Sequence, residues 1–349
     1  MIGIQRVRPK FVATNVITGE DRTDRVVLEA NPGHNTSRQA KLAKVVFIND
    51  MSPEQALDAV CDREGEVDIV TEVSPADARR VKESEYAKLV SIEANRVLVG
   101  IFNAWPDVGA PFADRRVREA FNCAVDRDQV VSEGLGGWAK ALGALTPPWS
   151  GGGSGAEPRS RDAVKAKQLL DQVGWPKGQA VTIATPAPFE GIARLIASDV
   201  EQALGITAQV VVIPAQDLTA GALTLIEKKL PPPWDILIHA WFDLSSDLPP
   251  AVMHREFFGD DGGFRAGPTD PEFNRRFDDL VNQTTPQAAQ QAAQEIDRYC
   301  SEESKALFLC APHALYAVNK DVDFRAYKTT FELADTTVTA NHWSRRNRT

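Results

Sequence analysis

The sequence predicts an α/β protein built as two lobes, and three observations carry that expectation. Segments of strand character alternate with segments of helical periodicity along most of the chain, the pattern of sheets flanked by helices. At 349 residues the chain exceeds the size at which a single hydrophobic core keeps growing, so two cores are expected. The run Arg96 to Asn103 (RVLVGIFN) is apolar almost without a break, as a strand buried on both faces of a mixed sheet must be.

Taken in order, residues 1 to 23 read as irregular, because Gly3, Pro9 and Gly19 interrupt any period. Arg25 to Ala30 (RVVLEA) reads as a strand ending at Asn31-Pro32, and Lys44 to Asn49 (KVVFIN) as the next. Ser52-Pro53-Glu54-Gln55 is a helix start, with Pro where its missing N–H costs nothing and Gln where a capping box needs it. Gly65 to Val70 closes that helix and opens a strand, and Ser74-Pro75 starts a short helix through Arg80. In Pro111 to Val131, Val117, Ala120, Phe121 and Ala124 recur at the spacing of one helix face, while Arg115, Arg116, Arg118 and Glu119 fall on the other side. Asp114 sits in the first turn of this helix, and Asp126 with Gln129 reads as the capping box of a second.

After Gly134 the chain becomes loop-like, and Gly151-Gly152-Gly153-Ser154-Gly155 reads as a flexible connector. No lysine follows it and it does not join a strand to a helix, so it is not a phosphate-binding loop. Ser154 lacks the G-x-S-x-G frame of a nucleophile, because that pattern fails at Ala156. Arg159 to Val173 is helical, with Val164, Leu169 and Leu170 as its inner face and a stop at Gly174-Trp175-Pro176. Strand 181–185, helix 191–204, strand 207–214 and helix 216–229 continue the alternation. Two more amphipathic helices (270–280 and 286–301) and strands at 307–309 and 314–318 complete it.

Composition narrows the function. Lys+Arg 39 against Asp+Glu 48 gives a net charge of −9, which argues against nucleic acid or an anionic membrane surface as a partner. No stretch approaches the roughly 18 apolar residues of a membrane span. The N-terminus lacks the apolar core of a secretory signal, so the chain as written is not expected to be exported. The four cysteines, Cys61, Cys123, Cys300 and Cys310, have no metal spacing and read as free, buried thiols, with a Cys300–Cys310 disulfide open only if the protein is exported. The five histidines show no metal-site spacing, so neither a metal nor a cofactor is expected. No nucleophile–base or paired-carboxylate pattern nominates a catalytic residue, and an enzyme is not expected.

Pro111, Phe112, Asp114, Arg116, Val117, Arg118, Ala120, Ala124, Asp126 and Arg127 match the form P-F-x-D-x-R-V-R-x-A-x-x-x-A-x-D-R. In this the chain resembles the family 5 extracytoplasmic solute-binding proteins, the peptide-, nickel- and opine-binding subunits of ABC importers. Gly65-Glu66 with Asp68, Ser74-Pro75 with Asp77, and Ala166, Lys167, Leu169, Leu170 and Gly174 add further matches, so the resemblance runs from about Val26 to Asp323. It implies a periplasmic-binding-protein-like fold of the class II, cluster C type, with the Pro111 segment as scaffold. The implied function is non-catalytic binding of a peptide, an opine-like conjugate or an organic acid in a cleft between two lobes that close by hinge motion, with an ABC permease as partner.

The expected division is a reduced first lobe, 1–95 plus 322–349, and a second lobe, 96–321. Where relatives have N-P-x-Y-W this sequence has Asn31-Pro32-Gly33-His34-Asn35, and their G-T-G-P-Y motif has no counterpart between Met1 and Asp24. The expectation is a relative truncated at its N-terminus, without leader or extra subdomain, whose uncovered apolar surface would take a second copy or a protein partner. It would be extracytoplasmic if a leader was removed and cytoplasmic if Met1 is the natural start. The alternative is an intracellular homologue that has lost transport and serves as an accessory of another protein.

Trp234 to Asp243 is a strand that runs into the loop Leu244 to Pro250 and resembles the family's D-x-x-x-x-x-W strand followed by an acidic, proline-containing loop. In peptide-binding relatives an aspartate three residues after that Trp pairs with the ligand's amino group. Here that place is Leu244; Asp243 lies one residue early, and Asp247 is followed by Leu248 instead of Pro. The ligand-binding candidates are Trp241, Phe242, Asp243, Asp247, Trp105 and His254. Trp241 reads equally as cavity wall or core, Asp243 as charge partner or loop cap, and Trp105 as cleft lining or ordinary interface aromatic. His254 enters because relatives that bind metal complexes use a single histidine. The other histidines read as surface or capping groups.

Overall fold

The structure, a computed structural model, describes residues 25–30, 40–105, 111–214, 233–242, 251–328 and 331–346. The expected irregular N-terminus, Asn31-Pro32, helix 216–229 and loop 244–250 lie outside these residues. The chain forms two units, Met1–Ile92 with Ala314–Thr349, and Glu93–His313.

The first unit begins with β1 (Arg25–Glu29), antiparallel to β2 (Lys44–Ile48). At α1 (Pro53–Cys61) the capping box forms in full: Gln55 N–H donates to Ser52 Oγ and Ser52 N–H to Gln55 Oε1. β3 (Ile69–Val70), a 3-10 turn capped by Ser74, α2 (Ala78–Glu83) and β4 (Ala87–Ile92) follow.

The second unit is a six-stranded mixed sheet between two helix layers. Its strands are β5 (Arg96–Phe102), β6 (Ala139–Ala141), β7 (Val181–Pro186), β8 (Ala208–Ile213), β9 (Ile236–Phe242) and β10 (Leu307–Pro312), in the order β6-β10-β5-β9-β7-β8. Strand alternation sorts the side chains. Leu98, Phe102, Ile236, Ile238 and Ala240 join the core under α3 (Arg115–Ala124), α4 (Arg127–Gln129), α5 (Ala163–Val173) and α6 (Glu190–Leu204). Val97, Val99, Ile101 and Leu237 face the core of α7 (Val252–Phe258), α8 (Pro271–Val281) and α9 (Pro286–Glu302).

Three local expectations are corrected. Arg118, placed on the outer face of α3, is buried: its guanidinium donates to the carbonyls of Phe112, Ala113, Glu303 and Ser304, the last two just past the negative end of α9. Val164 is 70% exposed, and Ala166 with Leu170 forms the buried face of α5, because two residues along a helix turn a side chain most of the way to the opposite side. The capping box at Asp126 is half made. Asp126 Oδ1 accepts the Gln129 N–H, but the Asp126 N–H donates to Asp199 Oδ2 and Gln129 bonds Glu133 instead.

The chain returns to the first unit as β11 (Ala314–Asn319), the central strand of the sheet β3-β11-β4, with Ala314 opposite Ile92. That pairing sets the return at His313–Ala314 rather than at 322. β12 (Val322–Asp323), β13 (Thr337–Val338) and α10 (Trp343–Arg346) close the unit. All four cysteines are free and buried, and burial pushes the Cys310 thiol up to about 12. Among the described residues no helix is long and apolar enough to cross a membrane.

Candidate functional site

The parallel strands β7, β8 and β9 end together, with Pro186 level with Ile213 and β9 running on to Phe242. The carboxyl ends of parallel strands are where α/β sheets leave a crevice for ligands. At this end β5 also begins, Arg96 opposite Phe242, and β10 finishes at Pro312, just before the chain leaves the unit.

Trp241 stands here opposite Val97, on the face of α7 to α9. Its half-buried ring meets Phe257 edge-on at 4.8 Å and Phe264 at 4.6 Å, with His239 5.0 Å away on the same side of the strand. Such T-shaped contacts match the positive edge of one ring to the negative face of another. Phe189, in the turn after β7, lies 6.4 Å from His239. Burial lowers the His239 pKa, so the ring is neutral at pH 7. Among the described residues Trp241 Nε1 and His239 Nδ1 are both shielded from solvent and make no hydrogen bond of good geometry, though the Ala240 backbone lies close enough to the His239 ring to oppose part of the lowering. More aromatics stand at the same end: His313 contacts Trp138 at 6.3 Å and Trp149 at 6.4 Å, and Trp149 Nε1 donates to Ala94 O.

The six sequence candidates do not form one cluster. Trp241 lies in the aromatic group, while Phe242 ends β9 with its side chain outside the described residues, as are Asp243 and Asp247. Trp105 follows Asn103, whose side chain donates to Trp234 O, so it lies at the opposite end of the β5–β9 pair, about 20 Å of strand from Trp241. There the Arg265 guanidinium covers its ring at 5.5 Å. His254 is 1% exposed and its Nε2 is 2.8 Å from Asp297 Oδ1, inside the helix layer. His239 is no surface group but half-buried beside Trp241. His342 is the expected capping group, its Nδ1 accepting the Ser344 N–H at the start of α10, and it is buried with Nε2 on Asp68. The i, i+2 spacing of His239 and Trp241 could have linked them beforehand. Phe257 and Phe264 carry no comparable local signal.

Asp297, fully buried on α9, organises the glycine-rich loop. Its Oδ1 accepts the N–H groups of Leu145 and Thr146 and faces His254, and its Oδ2 accepts both the N–H and the hydroxyl of Ser154. Burial raises its pKa, but the bond and charge of His254 and the Ser154 bonds outweigh this and hold the carboxyl below its usual range. The 151–155 segment is therefore tied down at Ser154 rather than a free connector. Serine, aspartate and histidine meet here, but the carboxylate sits between the other two. The Ser154 hydroxyl bonds the carboxylate and not the imidazole, so the trio lacks the serine–histidine contact of a triad. Among the described residues no three His, Cys, Asp or Glu side chains are placed to hold a metal ion.

Comparison with known proteins gives a consistent picture. The model of the bacterial extracellular solute-binding proteins, family 5 (middle), matches residues 16–263. The glutathione-binding protein GsiB of Escherichia coli K12 is 30% identical over 107 residues, 30% of this chain and 21% of that protein. Among solved structures, the ABC-transporter substrate-binding protein CtaP of Listeria monocytogenes superposes with a TM-score of 0.75 at 18% identity, over 92% of this chain and 65% of that one. NikA of Brucella suis, in complex with Fe(III)-EDTA, gives 0.75 at 18% over 90% and 66%. A dipeptide-binding protein of Pseudoalteromonas sp. SM9913, in complex with Met-Leu, gives 0.71 at 18% over 92% and 63%. The likeness to these structures is one of fold, and this chain spans just under two thirds of each.

Proposed function

The chain belongs to the bacterial extracellular solute-binding proteins of family 5, and we propose on that premise that it binds a small solute without transforming it. The solute is a peptide, an opine-like conjugate or an organic acid, and it is handed to an ABC permease outside the cytoplasmic membrane. The observation that carries this reading is the aromatic group around Trp241 at the carboxyl ends of β7, β8 and β9, apolar rings beside an indole N–H that is unmet among the described residues. Pockets for small molecules have that composition: mostly aromatic and aliphatic lining with a few polar atoms that fix orientation. The names of the relatives support it too, since GsiB is named for glutathione and the Pseudoalteromonas structure holds a dipeptide.

The test is thermal unfolding of the purified protein against a library of di- to pentapeptides, amino-acid conjugates and organic acids. At least one class should raise Tm in a saturable way, because a ligand held only by the folded state stabilises it by mass action. Trp241→Ala should abolish that rise. A library without a single saturable shift, or a Trp241→Ala protein that responds as wild type does, overturns the proposal.

A further inference from the structure

We propose that the part of the solute seated against Trp241 and His239 is a hydrogen-bond acceptor, the oxygen of a carboxylate or carboxamide on an apolar body, and not an ammonium group. The inference rests on the solute-binding reading above and deepens it. Indole Nε1–H can donate a hydrogen bond and cannot accept one. In Trp241 it is shielded from water and has no partner among the described residues, and Nδ1 of His239 on the neighbouring ring makes no bond of good geometry there, with only the Ala240 backbone close by. A neutral imidazole can carry its proton on Nδ1, so one oxygen with two lone pairs can meet both nitrogens. An ammonium has only protons to offer and leaves the indole donor unmet. Burial keeps His239 uncharged, so the recognition is by hydrogen bonding and not by a fixed positive charge. The half-buried ring of Phe264, edge-on to Trp241, supplies apolar surface on which the body of such a solute can lie.

The experiment titrates the wild-type protein and Trp241→Phe with 3-phenylpropanoate, 3-phenylpropanamide and 3-phenylpropylammonium, three probes with one body and different end groups. Trp241→Phe keeps an aromatic ring in place and removes the donor with the smaller ring that carries it, a loss of area that all three probes feel alike, and its Tm is measured alongside to show that it folds. The expected result is that the acid, the amide or both bind the wild type about ten-fold or more tightly than the ammonium, and that Trp241→Phe erases this preference. Binding of the acid alone assigns a charged acceptor, and binding of both a neutral one. Tighter binding of the ammonium, or a preference unchanged in Trp241→Phe because the ring faces of Phe257 and Phe264 already satisfy the indole, overturns the inference. So does failure of all three probes on a protein that responds to the solute library. If no library member binds either, the solute-binding reading falls, and this inference with it.

Discussion

Asp297 stays charged although it is fully buried, because backbone amides, a hydroxyl and His254 surround both of its oxygens. Breaking a buried, hydrogen-bonded pair by removing one partner costs about 3–5 kcal/mol, since the other is left uncompensated. Asp297→Ala should lower stability by that amount in urea unfolding. The pH dependence has a definite sign. A carboxyl held below its ordinary value binds fewer protons in the fold than in the unfolded chain, so its contribution is complete above about pH 4 and is lost as pH falls through the folded value. Urea midpoints measured down through the carboxylate range should fall less steeply for Asp297→Asn than for wild type. Sequence could place Asp297 on a helix but not foresee its contacts, because Leu145, Thr146 and Ser154 lie some 140 to 150 positions away. Arg127 hides in the same way. It donates to the carbonyls of Phe308, Asn122 and Arg159, and burial lowers its pKa to about 10. Periodicity sees a charge and assigns it to water, and a guanidinium walled in by carbonyls defeats that assumption.

α3 was legible because its signal is local: the Val117, Ala120, Phe121 and Ala124 stripe is buried as its spacing requires, and the Asp114 carboxylate accepts the Arg116 N–H at its start. Phe121 is sealed between Phe102 at 6.3 Å, Phe112 at 4.9 Å and Trp175 at 5.7 Å. Phe121→Ala should cost about 3–5 kcal/mol, read as a lowered guanidinium midpoint with unchanged slope. Besides the tie at Ser154, the chain just past the glycine-rich loop packs closely on Gly143. A Cβ on Gly143 would stand 2.1 Å from Glu157 O and 2.6 Å from Ala156 O, both backbone atoms that cannot swing aside. Gly143→Ala should therefore destabilise by about 1–3 kcal/mol or more, whereas Gly155→Ala meets no neighbour and carries only the strain of its positive φ. Thermal melts of the two variants separate close packing from backbone strain. The strand order β6-β10-β5-β9-β7-β8 was not legible, since it is set by pairings between distant segments that no single window contains.

Two units share one chain that crosses between them after Ile92 and again after His313. The aromatic group lies at the end of the second unit's sheet where both crossings begin, and β9 brings Trp241 there by its register against β5. The family's strand motif nominates Trp241, whereas Trp105 enters from its place just after the Arg96 to Asn103 strand and His254 from the single histidine of metal-complex-binding relatives, and neither reason fixes a position in the fold. Trp105 lies a strand's length away and His254 faces Asp297. This separation gives the sharpest check. Isothermal titration of the best solute from the library should be run on wild type, Trp241→Ala and Trp105→Ala. A site at the carboxyl ends of β7 to β9 predicts affinity weakened about ten-fold or more by Trp241→Ala and left within about two-fold by Trp105→Ala. The opposite ranking, with Trp105→Ala damaging and Trp241→Ala silent, would contradict the placement of the site.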